Sequence, residues 1–297
     1  MDAAELVDRL LAGERRAIAR LLTRVEDGSQ ARLRDAVARL HPHTGRAWIL
    51  GITGSPGVGK STLTNALVTE WRRRDRTVAV VAVDPSSPFS GGALLGDRVR
   101  MQEHVLDEGV FVRSMASRGH LGGLSWATPQ AVLVLDAAGF DLVVVETVGV
   151  GQAEVEIAST ADTTLVTVAP GMGDAIQAAK AGILEVADVF CVNKSDRQGA
   201  DRTVRELQEM LRMGGEASPD WVPPVARTVA ADGTGVAALA DELDRHVAWS
   251  ERSGQRAQRR LDRARLQVRE LALGTVRERF AAVGDGDLAD ELSRRVA

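Results

Sequence analysis

The run WILGIT (48–53), GSPGVGKS (54–61) decides the fold, together with the helical pattern STLTNALVTEWRRR (61–74) that continues it. The first six residues carry no charge and read as a buried strand; the next eight fit G-x-x-x-x-G-K-[ST]. Strand, glycine-rich loop and helix in that order make a phosphate cradle. Glycines let backbone N–H groups turn inward around phosphate oxygens, and the helix N-terminus adds its dipole. Lys60 reaches the β and γ oxygens and Ser61 offers a hydroxyl to Mg²⁺. Gly54, Ser55, Gly57, Val58, Gly59, Lys60, Ser61 and Thr62 are therefore expected to bind nucleotide, and Pro56 suits a loop.

Six more short apolar runs follow: TVAVVAV (77–83), VFVRSM (110–115), DLVVVET (141–147), TTLVTVA (163–169), DVFCVN (188–193) and PVARTVA (224–230). Continuous rather than alternating apolar character implies strands covered on both faces. Helical patterns stand between several of them, including AIQAAKAGILEVA (175–187), which predicts an α/β domain over 46–247 with a mostly parallel central sheet. Residues 1–45 read as a helical extension of two or three short amphipathic helices, closed by HPHTG (41–45). Residues 248–297 form an arginine-rich helical segment. Within 251–280 there are nine arginines against four acids, with Leu261, Val268, Leu271, Val276 and Phe280 at helical intervals. Three readings fit it: a helix docking its apolar stripe on its own domain, a dimerisation or partner-binding arm, or a nucleic-acid contact.

Composition narrows the function classes. Of 297 residues, 44% are hydrophobic and 26% charged, enough apolar surface to bury a large core. No apolar run approaches the roughly 20 residues of a membrane span, and the first sixteen residues read as charged helix rather than signal peptide. The expectation is a cytoplasmic protein with no membrane partner. Cys191 is the one cysteine, which excludes an internal disulfide and a thiolate zinc cluster. A net charge of -4 gives no general attraction to nucleic acid. Among 37 basic residues only Lys60, Lys180 and Lys194 are lysine. A lysine kept where arginine is the rule marks a place that needs a slim point charge.

Lys194 stands in NKSD (193–196), the N-K-x-D arrangement of guanine-specific sites, directly after the run DVFCVN. The Asp196 carboxylate can accept from the guanine N1 and exocyclic amine, a donor pair that adenine does not present. Ala230 ends PVARTVA, where a backbone N–H could meet the guanine oxygen. Asp84 and Glu146 close two strands at the edge where parallel sheets bind ligands. Glu146 is assigned to the Mg²⁺ and water shell, Asp84 to orienting the attacking water or a metal-bound water. Gly149 can bring an N–H near the γ-phosphate, making 147–152 a candidate switch. In the glycine-rich stretch 85–101, Asp97 is a candidate second acidic ligand and Arg100 a candidate phosphate contact. Arg118 and His120 belong to a similar loop, although GTP hydrolysis generally orients water without a true base. Asp174, Gln177 and Lys180 recur at i, i+3 and i+6 near the same edge.

Together GSPGVGKST, VDPSSPFSGGALLGDRVRM, VRSMASRGHLGGL, ETVGVGQAE and PGMGDAIQAAKAGILEVADVFCVNKSD resemble the methylmalonyl-CoA mutase-associated GTPases of the MeaB/ArgK type, within the SIMIBI class of P-loop GTPases. The resemblance is dense over 46–235 and looser outside it. It implies a GTP-hydrolysing chaperone of an adenosylcobalamin-dependent acyl-CoA mutase, gating cofactor loading and protecting or reactivating the enzyme. It implies that Lys60, Ser61, Asp84, Asp97, Arg100 and Glu146 serve Mg-GTP and hydrolysis, and that Asn193, Lys194 and Asp196 hold guanine. It also implies that Asp174, Gln177 and Lys180 relay the mutase's presence, and that C-terminal helices form a homodimer. Two departures stand out: Ser195 where alanine is commoner, and Val229-Ala230 in place of a Ser-Ala pair, which loosens the role given to Ala230. A metal-insertion GTPase and a small-molecule phosphotransferase are the alternatives. The first usually carries a cysteine cluster or histidine-rich tract, the second an acceptor pocket, and neither has a counterpart in this sequence.

Overall fold

The structure, a computed structural model, describes residues 3–27, 30–84, 102–104, 106–116, 127–147, 153–171, 186–213, 220–284 and 294–295. All seven apolar runs are strands: β1 (Trp48–Thr53), β2 (Val78–Asp84), β3 (Val110–Ala116), β4 (Leu142–Thr147), β5 (Thr163–Val168), β6 (Val189–Val192) and β7 (Val225–Arg227). They form one sheet in the order β3-β2-β4-β1-β5-β6-β7, with every pairing parallel. The last strand is shorter than the run PVARTVA predicts. It ends at Arg227, and Val229 makes only an isolated bridge to Thr234.

Nine α-helices are found among the described residues. They are α1 (Ala3–Leu11), α2 (Arg15–Asp27), α3 (Gln30–Leu40), α4 (Lys60–Arg73), α5 (Ala127–Ala137), α6 (Ala153–Thr160), α7 (Ala200–Met213), α8 (Val236–Arg252) and α9 (Gln255–Gly284). Two apolar layers sandwich the sheet. On one face, the Leu63, Leu67 and Trp71 side of α4 and Leu239 and Leu243 of α8 pack on Leu50, Ile52, Val144 and Leu165. On the other, α5 and α6 pack on Ile49, Val81, Val143 and Val145. Leu6, Leu10, Ile18, Leu21 and Leu22 of the N-terminal helices join that same second layer, so α1–α3 extend the domain's core rather than build another. Covering both faces is why every residue of β1, β4 and β6 is buried and why those runs show no alternation.

The C-terminal helix inverts one expectation. It is the arginines of α9 that dock, not its apolar stripe. Arg256, Arg259, Arg260 and Arg263 follow i, i+3, i+4, i+7 spacing, so they share a face. That face meets Asp162 and Asp188, which stand just before β5 and β6. Leu261, Leu266, Val268, Leu273 and Val276 are instead 40–67% exposed. With 30 residues, α9 is about 45 Å long. Leu271 and Phe280 have side chains outside the described residues.

Candidate nucleotide site

Beyond the carboxyl ends of β1, β4 and β6 the backbone and side chains converge. Ile52 of β1 is in register with Glu146 of β4, which brings the strand-end carboxylate beside the loop that leaves β1. The loop turns only because of its glycines. At Gly54 φ is +139° and an added Cβ would lie 2.0 Å from the Thr167 carbonyl oxygen; at Gly59 φ is +94° and a Cβ would lie 2.6 Å from Asn193 Nδ2. Both positions demand glycine on two counts.

Lys60 opens α4, is 7% exposed, and donates from Nζ to the carbonyl oxygens of Gly54 at 2.6 Å and Ser55 at 3.1 Å. Its ammonium thus hangs inside the loop's own curve. Ser61 Oγ donates to Glu146 Oε1 at 2.7 Å, and Thr64 Oγ1 donates to Oε2 at 2.8 Å. Glu146 is 4% exposed, so two hydroxyl donors support a carboxylate almost removed from water. Thr64 was absent from the candidates read in the sequence. The available signal was a polar residue at i+3 from Ser61, on a helix whose other inward positions are mostly apolar.

The N-K-x-D segment closes the opposite wall. Asn193 Nδ2 donates to the Val58 carbonyl at 2.9 Å, while its Oδ1 accepts from the Ala230 N–H at 3.0 Å and from Thr228 Oγ1 at 3.1 Å. One buried amide therefore ties the phosphate loop to the segment after β7. Lys194 adopts φ +56° and donates to the Gly57 carbonyl at 2.6 Å. Asp196 is exposed next to it, as is Thr62 on α4. The Ala230 N–H is thus engaged by Asn193, which differs from the guanine contact expected of it. Asp84 ends β2, one residue beyond the Val83–Thr147 pair, and its side chain lies outside the described residues. Asp97, Arg100, Arg118, His120, Gly149, Asp174, Gln177 and Lys180 also lie outside them.

Glycine loop, buried strand-end carboxylate and N-K-x-D segment thus meet at one edge of an all-parallel sheet. A sequence model described as methylmalonyl-CoA mutase-associated GTPase MeaB matches residues 18–285. The chain belongs to the MeaB family. A Pyrococcus horikoshii protein provisionally named a GTPase is 50% identical over 281 residues, covering 94% of this chain and 88% of that protein. The fused isobutyryl-CoA mutase of Cupriavidus metallidurans is 38% identical over 219 residues, which span 72% of this chain and 20% of that protein. Among solved structures, a LAO/AO transport system kinase superposes with a TM-score of 0.73 at 27% identity, covering 99% of this chain and 89% of that one. This MeaB-family protein is a P-loop GTPase that binds GTP and GDP. None of its described helices is long and apolar enough to cross a membrane.

Proposed function

We propose that this MeaB-family GTPase is a chaperone of an adenosylcobalamin-dependent acyl-CoA mutase, gating cofactor loading and protecting or reactivating the enzyme. The observation that carries the reading is the family match over 18–285, whose description names association with methylmalonyl-CoA mutase. The fused isobutyryl-CoA mutase adds to it: a region like this chain occupies a fifth of a polypeptide named for the mutase activity.

The chemistry follows from the edge described above. Phosphates enter the curve of 54–59, and Lys60 exchanges the Gly54 and Ser55 carbonyls for β and γ oxygens, a short swing of an ammonium already in place. Asp196 accepts from guanine, while Asn193 and Lys194 keep the loop and the base-binding segment in register. Glu146, with Asp84, orients water for in-line attack on the γ-phosphate. The donor set around Ser61 suits Mg²⁺: the hydroxyl donates its hydrogen to Glu146, and all candidate ligands are hard oxygens. Ser61, Asp84, Asp97 and Glu146 would hold the ion, which would supply neutralisation of phosphate charge when bound. Arg100 and Gly149 complete the γ-phosphate contacts, and Asp174, Gln177 and Lys180 relay the mutase's presence.

Outward-facing Leu261, Val268 and Val276 on α9 fit the homodimer contact expected of the C-terminal segment 248–297. The test is phosphate release from GTP and from ATP by the purified protein, alone and with an adenosylcobalamin-dependent acyl-CoA mutase. Hydrolysis restricted to GTP and accelerated by the mutase supports the reading. GTP hydrolysis indifferent to every such mutase assigns another client.

A further inference from the structure

Thr64 is fully buried, yet a purely apolar residue of the same outline would fill its place beside Leu63 and Leu67. What the hydroxyl adds is a hydrogen bond of 2.8 Å to Glu146 Oε2. A glutamate's terminal torsion is broad and roughly two-fold, so a carboxylate held through one oxygen alone can rock about that contact. Here Oε1 receives Ser61 and Oε2 receives Thr64, and both donors stand one turn apart on α4. The helix therefore grips the carboxylate at two points.

We propose that Thr64 is a positioning residue for GTP hydrolysis: its hydroxyl, bonded to Oε2, fixes the Glu146 carboxylate so that Oε1 stays on the Ser61 hydroxyl at the carboxyl edge of the sheet. The proposal rests on the reading of Glu146 as the carboxylate of the water and Mg²⁺ shell. The Thr64 hydroxyl donates to Glu146 Oε2. Its effect passes through Glu146, so it alters turnover more than GTP affinity. The cation site is affected in the same sense, since Ser61 directs its oxygen according to where its hydrogen is accepted.

The experiment uses the full chain in four forms, Thr64→Val, Thr64→Ser, Glu146→Gln and the Thr64→Val/Glu146→Gln double variant. Two readouts are taken: kcat and KM for GTP, and the Mg²⁺ dependence of release of a fluorescent GDP analogue. Thr64→Val is expected to lower kcat about tenfold, the scale of one hydrogen bond to a charged group, with KM within about twofold. The Mg²⁺ midpoint for retaining the GDP analogue should rise, while release in chelator is unchanged. Thr64→Ser should recover most of both effects, and Thr64→Val should add nothing once Glu146→Gln is present. Wild-type kcat and Mg²⁺ midpoint in Thr64→Val, beside an inactive Glu146→Gln, would overturn the positioning role alone. Equal damage from Ser and Val would reassign Thr64 to packing. Wild-type hydrolysis by Glu146→Gln would remove the assignment of Glu146, and with it the role of Thr64.

Discussion

The two ends of the parallel strands are built from opposite materials. At the carboxyl edge, backbone carbonyls, hydroxyls and amides line a glycine loop: Lys60 and Lys194 reach carbonyl oxygens, and Asn193 joins Val58 to Ala230. At the amino edge, charge is buried on charge. Asp162, 1% exposed, receives Arg260 at 2.7 Å as well as Arg263, and Arg256 stands 3.4 Å away. Asp188, 6% exposed, is held bidentately by Arg259, both bonds at 2.7 Å, while His246 Nε2 lies 3.2 Å from it. The first arrangement leaves groups that can exchange partners for a ligand. The second locks groups whose separation would strand a charge in the interior. The candidate site sits where partners are replaceable, and the joint between the sheet and the C-terminal helix sits where they are not.

The largest expected effect breaks the locked edge. Asp162→Ala leaves Arg256, Arg260 and Arg263 facing a buried void, and removing one partner of a buried ionic cluster costs about 3–5 kcal/mol. Urea denaturation of the variant at neutral pH measures it. Burial opposes the Asp162 charge, but Arg260 and Arg263 outweigh burial and hold the carboxyl below its usual range. A carboxyl depressed on folding stabilises the protein above the unfolded value, near 4, and loses that contribution as pH falls through the folded one. The gap between wild type and Asp162→Ala should therefore be widest at neutral pH and close below about pH 4. Asp188, depressed by His246 and Arg259 against its burial, adds to the same acid limb. A gap independent of pH would mean that lost packing, not charge, accounts for the damage.

A second aspartate sharpens the contrast from the other side. Asp196 is exposed, so Asp196→Asn should leave the unfolding free energy within about 0.5 kcal/mol of wild type. Yet its carboxylate is the group assigned to guanine, and losing a charge-assisted pair should cost about 2 kcal/mol of the preference for GTP over ATP. Competition of GTP and ATP for a fluorescent GDP analogue reads this directly. An unchanged preference would take Asp196 out of the site.

The carboxyl edge was the legible one. Its chemistry depends on short contiguous strings, GSPGVGKS and NKSD, whose geometry is local, and on Glu146 at the end of an unbroken apolar run. The amino edge was not, because its partners are far apart in the chain: Asp162 and Arg260 meet only once β5 and α9 are both placed. Arginines at 256, 259, 260 and 263 look like a solvated stripe until two buried carboxylates turn that stripe inward. Of the three readings open for this segment, docking by the apolar stripe is therefore replaced by docking through the arginines, and Leu261, Val268 and Val276 stay exposed. Thr64 escaped for a related reason, since a hydroxyl in a helix gains a role only from what β4 brings opposite it. The double use of Asn193 as a tie was similarly hidden: N-K-x-D announces a base site, not the Val58 and Ala230 contacts that hold it together.

The last test lies midway between the edges, at Cys191, and asks whether they are independent. Cys191 lies on β6, between Asp188 at one end and Asn193 at the other, with no exposure and a contact of 3.1 Å to Thr228 Oγ1. Burial pushes its thiol up to about 12, so at neutral pH almost no thiolate exists and the folded protein should resist a thiol reagent. Labelling then reports only opening of the sheet around β6. Under that regime the rate rises about tenfold for each 1.4 kcal/mol removed from the opening free energy. Asp162→Ala, which loosens the amino edge, should accelerate labelling steeply; Asp196→Asn should leave it at the wild-type rate. Equal acceleration by the two variants would mean that β6 transmits disturbance from either end, and the division into a replaceable edge and a locked one would fail at the strand that connects them.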